Sequence, residues 1–265
     1  MIHLKAISKI IGVFSATLII FAILVIGTFF LKIFRVNSES WRNYCLTKWG
    51  VISARSLSIN VNIRGDIPTP PFYLVSNHLS YIDIIVLFSI LKTTFIAKSE
   101  VSKWPVLGTI SKSIGIVFIN RRKKRDVKRV NSIISNHLNK YRGVTLFAEG
   151  TTSPGAKILP FRPPLLELPA RENIEVSYCV IHYGCNSKKG CSAYKDVNWW
   201  GDTPMHKHLY NLAKLSKIEA TVTFGESKVH SKDRKQLAEE LHQKATEIFT
   251  PMCSPEKTDY KPITF

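Results

Sequence analysis

Cysteine is scarce in this chain of 265 residues: there are five, Cys45, Cys179, Cys185, Cys191 and Cys253. So few, odd in number and scattered, they exclude a disulfide scaffold and predict reduced thiols. Acidic residues are scarce too. Lys and Arg number 37 against 19 Asp and Glu, a formal net charge of +18. That excess calls for an anionic partner: nucleic acid, an anionic membrane surface or a phosphorylated substrate. There is no internal repeat, and no Pro/Gly/Ser-rich linker divides the chain after residue 60. There is no G-x-S-x-G elbow, which excludes that form of activated serine. Metal-ligand spacing is missing as well. His182, Cys185 and Cys191 lie close in sequence without paired C-x2-C or H-x3-H spacing, and His206 and His208 fall on different faces of a helix, so no metal site is expected. Apolar residues are plentiful at 45 %, which excludes a disordered chain.

Residues 10–31 contain no charge. As a helix these residues reach about 33 Å, enough to cross a hydrocarbon core of about 30 Å. Lys5 and Lys9 flank one end, Lys32 and Arg35 the other. The run is longer than a signal-peptide core and no A-x-A site follows, so it reads as a retained anchor. Residues 1–36 are therefore expected to form a single-pass membrane anchor. The basic body and free thiols favour the cytoplasmic side for the rest. Trp41, Cys45, Trp49 and Ile52 follow at helical spacing among Arg42, Lys48 and Arg55. Residues 37–60 thus read as an amphipathic interfacial helix lying among the headgroups, or equally as one docked on the core.

Beyond residue 60, strand-like and helix-like segments alternate. Strands are expected at 72–76, 94–97, 116–119, 144–147, 174–181 and 218–224. Helices are expected at 82–91, 126–141 and 204–215, with a last helix capped by Ser231 and carrying Asp233 in its first turn. The fold class is α/β: a single domain with a mixed, largely parallel sheet flanked by helices, spanning residues 61–250. It follows the N-terminal transmembrane helix and the amphipathic helix. An irregular tail, 251–265, ends the chain.

Three strand ends carry chemistry. In SNHLSYID, His78 and Asp83 are five positions apart, 140° on an ideal helix. They meet only if His78 lies in the turn after the strand and Asp83 in the first helical turn. A carboxylate on one imidazole nitrogen leaves the other as a general base. Ser80 lies between them, but nothing marks it as a nucleophile, so the base would act on a hydroxyl that the substrate brings. In GIVFINRR a buried strand runs into Arg121 and Arg122, at the rim where an arginine can hold a phosphate. Lys123, Lys124, Arg125, Lys128 and Arg129 continue the charge and suit anionic headgroups. In FAEGTTSPG, Glu149, Gly150 and Thr151 form a donor-rich turn, with Pro160 and Arg162 shortly after in LPFR.

In this order, the loops resemble the glycerolipid acyltransferases of the 1-acyl-sn-glycerol-3-phosphate acyltransferase type. The N-H-x4-D block is matched by Asn77, His78 and Asp83, and G-x-x-F-I-x-R by Gly115, Phe118, Ile119 and Arg121. F-P-E-G-T-R-S is matched by Phe147, Glu149, Gly150, Thr151 and Ser153, and the proline block by Pro160. WWGD, residues 199–202, is also similar to bacterial members. The resemblance implies that His78 deprotonates the acceptor hydroxyl and that Asp83 orients it. Arg121 would bind the acceptor's phosphate. Asn77, Gly115, Phe118, Glu149, Gly150 and Thr151 would help form the substrate site, and Pro160 would line the acyl side. The implied donor is acyl-CoA or acyl-carrier protein, the implied acceptor a lyso-lipid in the membrane, and no cofactor is implied beyond the donor.

Two positions depart from the pattern. Ala148 replaces the family's proline. Thr152 replaces its arginine, removing a phosphate-binding cation for which Arg162 or Arg122 could substitute. The expected product is phosphatidic acid from 1-acyl-sn-glycerol-3-phosphate, with another lyso-lipid such as lyso-ornithine lipid as the alternative acceptor. Two other classes stay open. A non-catalytic anionic-lipid-binding protein would not need both His78 and Asp83. Nucleic acid is not expected, since no recognised module occurs and an anchor fits it poorly.

Overall fold

The computed structural model describes residues 2–105, 107–120, 123–187 and 190–254. In chain order its main elements are α1 (Ile2–Ile33), α2 (Glu39–Ser56), β1 (Ile59–Arg64), β2 (Tyr73–Ser76), α3 (Ile82–Ile90), β3 (Thr93–Lys98), α4 (Leu107–Ser113) and β4 (Val117–Ile119). There follow α5 (Lys124–His137), β5 (Gly143–Phe147), α6 (Glu167–Arg171), β6 (Val176–Asn186), α7 (Ala193–Asp196), α8 (Met205–Ala213), β7 (Lys217–Phe224) and α9 (Arg234–Glu247).

The strands form one sheet in the order β1-β7-β6-β2-β5-β3-β4. From β6 to β4 the five strands run parallel; β7 is antiparallel to β6, and β1 is parallel to β7. This is the mixed, largely parallel α/β sheet that the alternation predicts. β2 and β5 are buried at every position. They need apolar residues on both faces because helices cover both. One face, carrying Leu74, Phe95, Phe147, Ile181 and Tyr183, packs under α2, α3 and α8. The other, carrying Tyr73, Val75, Val144, Leu146 and Val180, packs under α5 and α9.

Several boundaries differ from the sequence reading. β1 was not expected: its INVNIR alternation is buried only at Ile59 on the described core side, which is how an edge strand reads. α5 ends at His137 rather than 141, because Asn139 and Arg142 close a tight turn on each other. β6 runs five residues past 181 as the antiparallel partner of β7. The cap of α9 is Asp233, whose carboxylate accepts from the Lys235 and Gln236 main-chain amides; Ser231 instead accepts from the Asp233 amide. Of the 251–265 tail, only residues up to 254 are described.

α1 is long and apolar enough to cross a membrane, and it supports membrane anchoring. It does not stand apart from the domain. His3 bonds and stacks on Tyr210, Lys9 Nζ donates to the Leu215 carbonyl, Trp49 Nε1 to Thr17 Oγ1, and Trp41 Nε1 to the Leu24 carbonyl. Glycine at 27 leaves room for the Trp41 indole. The rest of α1 exposes Ile, Leu, Val and Phe. α2 is shorter than the 37–60 expected, since β1 takes residues 59 and 60, and it is docked: Cys45, Leu46 and Ala54 are buried, and both tryptophans turn toward α1.

α2 also holds the amino ends of the strands. Arg42, buried, donates to the carbonyls of Ile114 (2.7 Å) and Thr93 (3.3 Å). Arg142, also buried, pairs with Glu39. Burial and these two guanidinium groups push His137 down to about 4. Glu39 is the carboxylate facing this cationic cluster. Glu39→Gln is therefore expected to cost about 3 kcal/mol, since it strips a buried charge of its counter-ion. Chemical denaturation in detergent, compared between variant and wild type, reads this directly.

Candidate active site

Parallel strands deliver their following loops to one rim. β2 ends at Ser76, and the next residues turn into α3. His78 lies in that turn and Asp83 in the first turn of α3, the arrangement that brings them together. His78 Nδ1 and Asp83 Oδ2 are 2.7 Å apart. Asp83 has no exposed surface. Its Oδ2 also accepts from the main-chain amides of Leu79 (2.8 Å) and Ser80 (3.1 Å), and its Oδ1 accepts from the Tyr183 hydroxyl (2.7 Å). An ionised acid has only acceptors to offer, so Nδ1 carries the proton in this bond. Nε2 is left with its lone pair, without a hydrogen-bond partner among the described residues. The His78 side chain is 19 % exposed.

Aromatic packing fixes the ring. His78 stacks on Phe147 at 4.0 Å and 13°, and Phe147 stacks in turn on Phe95 at 5.7 Å. Ser80 is fully buried, and its hydroxyl has no hydrogen-bond partner among the described residues. It is not placed as a nucleophile.

Glu149 follows β5 and is 1 % exposed. Its carboxyl accepts from the main-chain amides of His78 (2.8 Å) and Leu159 (3.2 Å). It ties the loop after β2 to the loop after β5 and closes the latter on itself, from beneath. Burial pushes it up to about 8, against the two amide bonds and with the help of nearby Asp83. Asn77 likewise spends its amide on structure: Nδ2 donates to the Ile181 carbonyl, and Oδ1 accepts from the Ile181 amide. Gly150, with φ +75°, turns the chain after Glu149, and the Ser153 amide donates to the His78 carbonyl.

The other expected site residues divide. Thr151 and Arg162 are half-buried near the rim; the Arg162 amide donates to the Ala148 carbonyl and its Nε to the Glu149 carbonyl (3.3 Å). Phe118 pairs in register with Ala97, which shares its sheet face with Phe95, and so it belongs to the same side as His78. Gly115 is not at the rim. It precedes β4, at the amino end, where φ is +81° and a side chain would meet Arg142. There it makes the turn into β4. Pro160 is exposed. Arg121 and Arg122 lie outside the described residues.

Tyr183 escaped the sequence reading, which ended its strand at 181. The signal was a hydroxyl-bearing side chain in an apolar run, which needs a partner when buried. A second chain of bonds supports the same turn. His208 Nε2 contacts the Asn198 carbonyl and Nδ1 the Tyr81 hydroxyl, both at 3.1 Å, while the Trp199 amide donates to the Leu79 carbonyl. The cysteines correct the expectation of reduced thiols: Cys185 and Cys191 form a disulfide with Cα atoms 6.1 Å apart. The reverse loop after β6 brings them together, which linear spacing conceals. Asp196 lies beside them, but bonded sulfurs offer no thiolate ligand.

The raised Glu149 has a measurable consequence. Its stabilising effect is fully present below the unfolded carboxyl range and is lost as pH rises through about 8. Wild-type stability should therefore fall between pH 5 and 8. Glu149→Gln should flatten that slope while lowering stability at pH 5, because one of the two amides loses its acceptor. Urea midpoints across that pH range test both.

Comparisons with known proteins give the family. The family model described as Acyltransferase matches residues 58–181. A lyso-ornithine lipid O-acyltransferase of Brucella abortus is 33% identical over 188 residues, 66% of this chain and 69% of that protein. A 1-acyl-sn-glycerol-3-phosphate acyltransferase of Neisseria gonorrhoeae is 28% identical over 187 residues, 69% of this chain and 71% of that protein. The crystal structure of the 1-acyl-sn-glycerophosphate (LPA) acyltransferase PlsC from Thermotoga maritima shares the fold. Its TM-score is 0.63, over 94% of this chain and 99% of that one, at 18% identity. On this α/β frame with its apolar N-terminal helix, the chain belongs to the acyltransferase family, as a membrane-associated enzyme that moves an acyl group from a donor to a lyso-lipid.

Proposed function

We propose that the protein acylates a lyso-lipid hydroxyl by direct transfer, with His78 as general base and no acyl-enzyme. The observation that carries this reading is the open Nε2 of an imidazole whose Nδ1 is held by buried Asp83. Nε2 takes the proton of the acceptor hydroxyl as its oxygen attacks the thioester carbonyl. The carbon–sulfur bond then breaks, and the departing thiolate takes the proton from Nε2. Asp83 stabilises the imidazolium formed in between. Stacking on Phe147 holds the ring plane during both transfers.

For the acceptor we favour lyso-ornithine lipid. Thr152 stands where the resembled pattern has a phosphate-binding arginine, and the 33% identical Brucella relative carries that name. Lysophosphatidic acid is the second reading, favoured by the order of the motif blocks and by the Neisseria relative. The donor is acyl-CoA or acyl-carrier protein. A cytoplasmic catalytic side now rests on the basic body alone, since the Cys185–Cys191 bond removes the argument from free thiols.

Thioester consumption by membranes carrying the protein, measured over both acceptors, tests the reading. Faster turnover of lysophosphatidic acid would reverse the preference, and none with any lyso-lipid would sink it. His78→Ala should lose about 10²–10⁴ in rate, the usual contribution of general base catalysis. Asp83→Asn should be comparably severe, and the two losses should not multiply in the double variant. Ser80→Ala should keep near wild-type activity. An acyl group trapped on Ser80 would replace direct transfer with a covalent route.

A further inference from the structure

We propose that Tyr183 is a positioning residue for acyl transfer: from β6 it holds Asp83, and through Asp83 it sets the orientation and basicity of His78. The proposal rests on the reading of His78 as the base. Three of the four donors to Asp83, namely His78 Nδ1, Leu79 N and Ser80 N, converge on Oδ2. Oδ1 receives the Tyr183 hydroxyl, at 2.7 Å, and no other donor among the described residues. Both groups are out of water, Asp83 with 0% and Tyr183 with 1% exposure. An unsatisfied carboxylate oxygen in such a place is costly. Burial, with the Asp83 charge beside it, pushes the phenol well above its ordinary range, so it remains a donor at any working pH.

β6 acts as a template for the whole turn. Asn77, one residue before His78, is clamped in both directions to the Ile181 main chain. Two residues further, on the same face of β6, Tyr183 holds Asp83. One strand therefore fixes both sides of the His78 turn, at its start and at its acid. Tyr183 itself lies behind Asp83 and packs into the apolar layer under the helices. It acts only through the carboxylate.

Removing the hydroxyl has a signed effect. With one donor gone, the negative charge of the pair is less satisfied, so Asp83 and His78 together bind their proton more tightly. The pair then takes up that proton at a higher pH. A residue that merely fills space would lower the amount of active enzyme without moving this titration.

Tyr183→Phe keeps the ring and removes the donor. Tyr73→Phe is the control: Tyr73 is as deeply buried, but its hydroxyl donates to the Leu165 carbonyl, on the other sheet face. In the full-length protein in detergent, Tyr183→Phe should move the acid limb of kcat/KM upward by about one pH unit. It should lower kcat with little change in donor KM. The pH midpoint for modification of His78 by diethyl pyrocarbonate, followed by peptide mass spectrometry, should move with it. That second readout needs no substrate. Tyr73→Phe should match wild type in both. A wild-type midpoint in Tyr183→Phe, or an equal shift in Tyr73→Phe, overturns the proposal. A shifted His78 midpoint in a protein that turns over no lyso-lipid would leave the Tyr183–Asp83–His78 linkage standing and remove the acyl-transfer reading instead.

Discussion

A carboxylate with no exposed surface constrains this molecule more than any other group. Taking an ionised acid out of water costs several kcal/mol unless its lone pairs are met. Asp83 meets them with an imidazole, two turn amides and a phenol. Each donor imposes a condition on the fold. The amides of Leu79 and Ser80 require the turn between β2 and α3 to fold back on the helix start. The phenol requires β6 to lie beside β2 in its observed register, where Ser76 faces Cys179. Glu149 then fixes the next loop to that turn through the His78 amide. The site is thus a set of loops locked together below the surface, with one nitrogen left facing outward.

The two buried carboxyls have different partners. Asp83 has four hydrogen-bond donors, one of them an imidazole able to take a positive charge. Glu149 has two main-chain amides and an anionic neighbour, and burial prevails, lifting it to about 8. The opposite end of the sheet shows the same economy with the sign reversed. There Arg42 and Arg142 are buried, main-chain carbonyls receive the first, and Glu39 answers the second.

The sequence was most legible where local patterns coincide with long-range needs. The run Tyr73–Ser76 is apolar because helices cover both faces of the sheet, and its end marks the site. His78 and Asp83 could be paired from their spacing once a turn was placed between them. Other features depend on contacts that distance along the chain hides. Tyr183 reaches Asp83 from 100 positions away. Cys185 and Cys191 meet because a loop reverses, and β1 is a strand because β7 offers it an edge. Asn77, Gly115 and Glu149 were legible as important residues, but in the structure they work on the backbone. Motif spacing records that a residue type is needed and leaves open whether its bonds go to ligand or to protein.

The four points that hold α1 give the enzyme a particular mechanical character. A helix joined only by a flexible linker would let the catalytic rim sweep a volume above the lipid. Here His3, Lys9, Thr17 and the Leu24 carbonyl are bonded to partners in α8, the segment after it and α2. Anchor and rim therefore tilt together. Once the apolar face of α1 is in lipid, the height and bearing of His78 over the surface are set. A lyso-lipid that diffuses in the plane of the membrane meets the rim at one fixed level, and a search in three dimensions becomes a search in two.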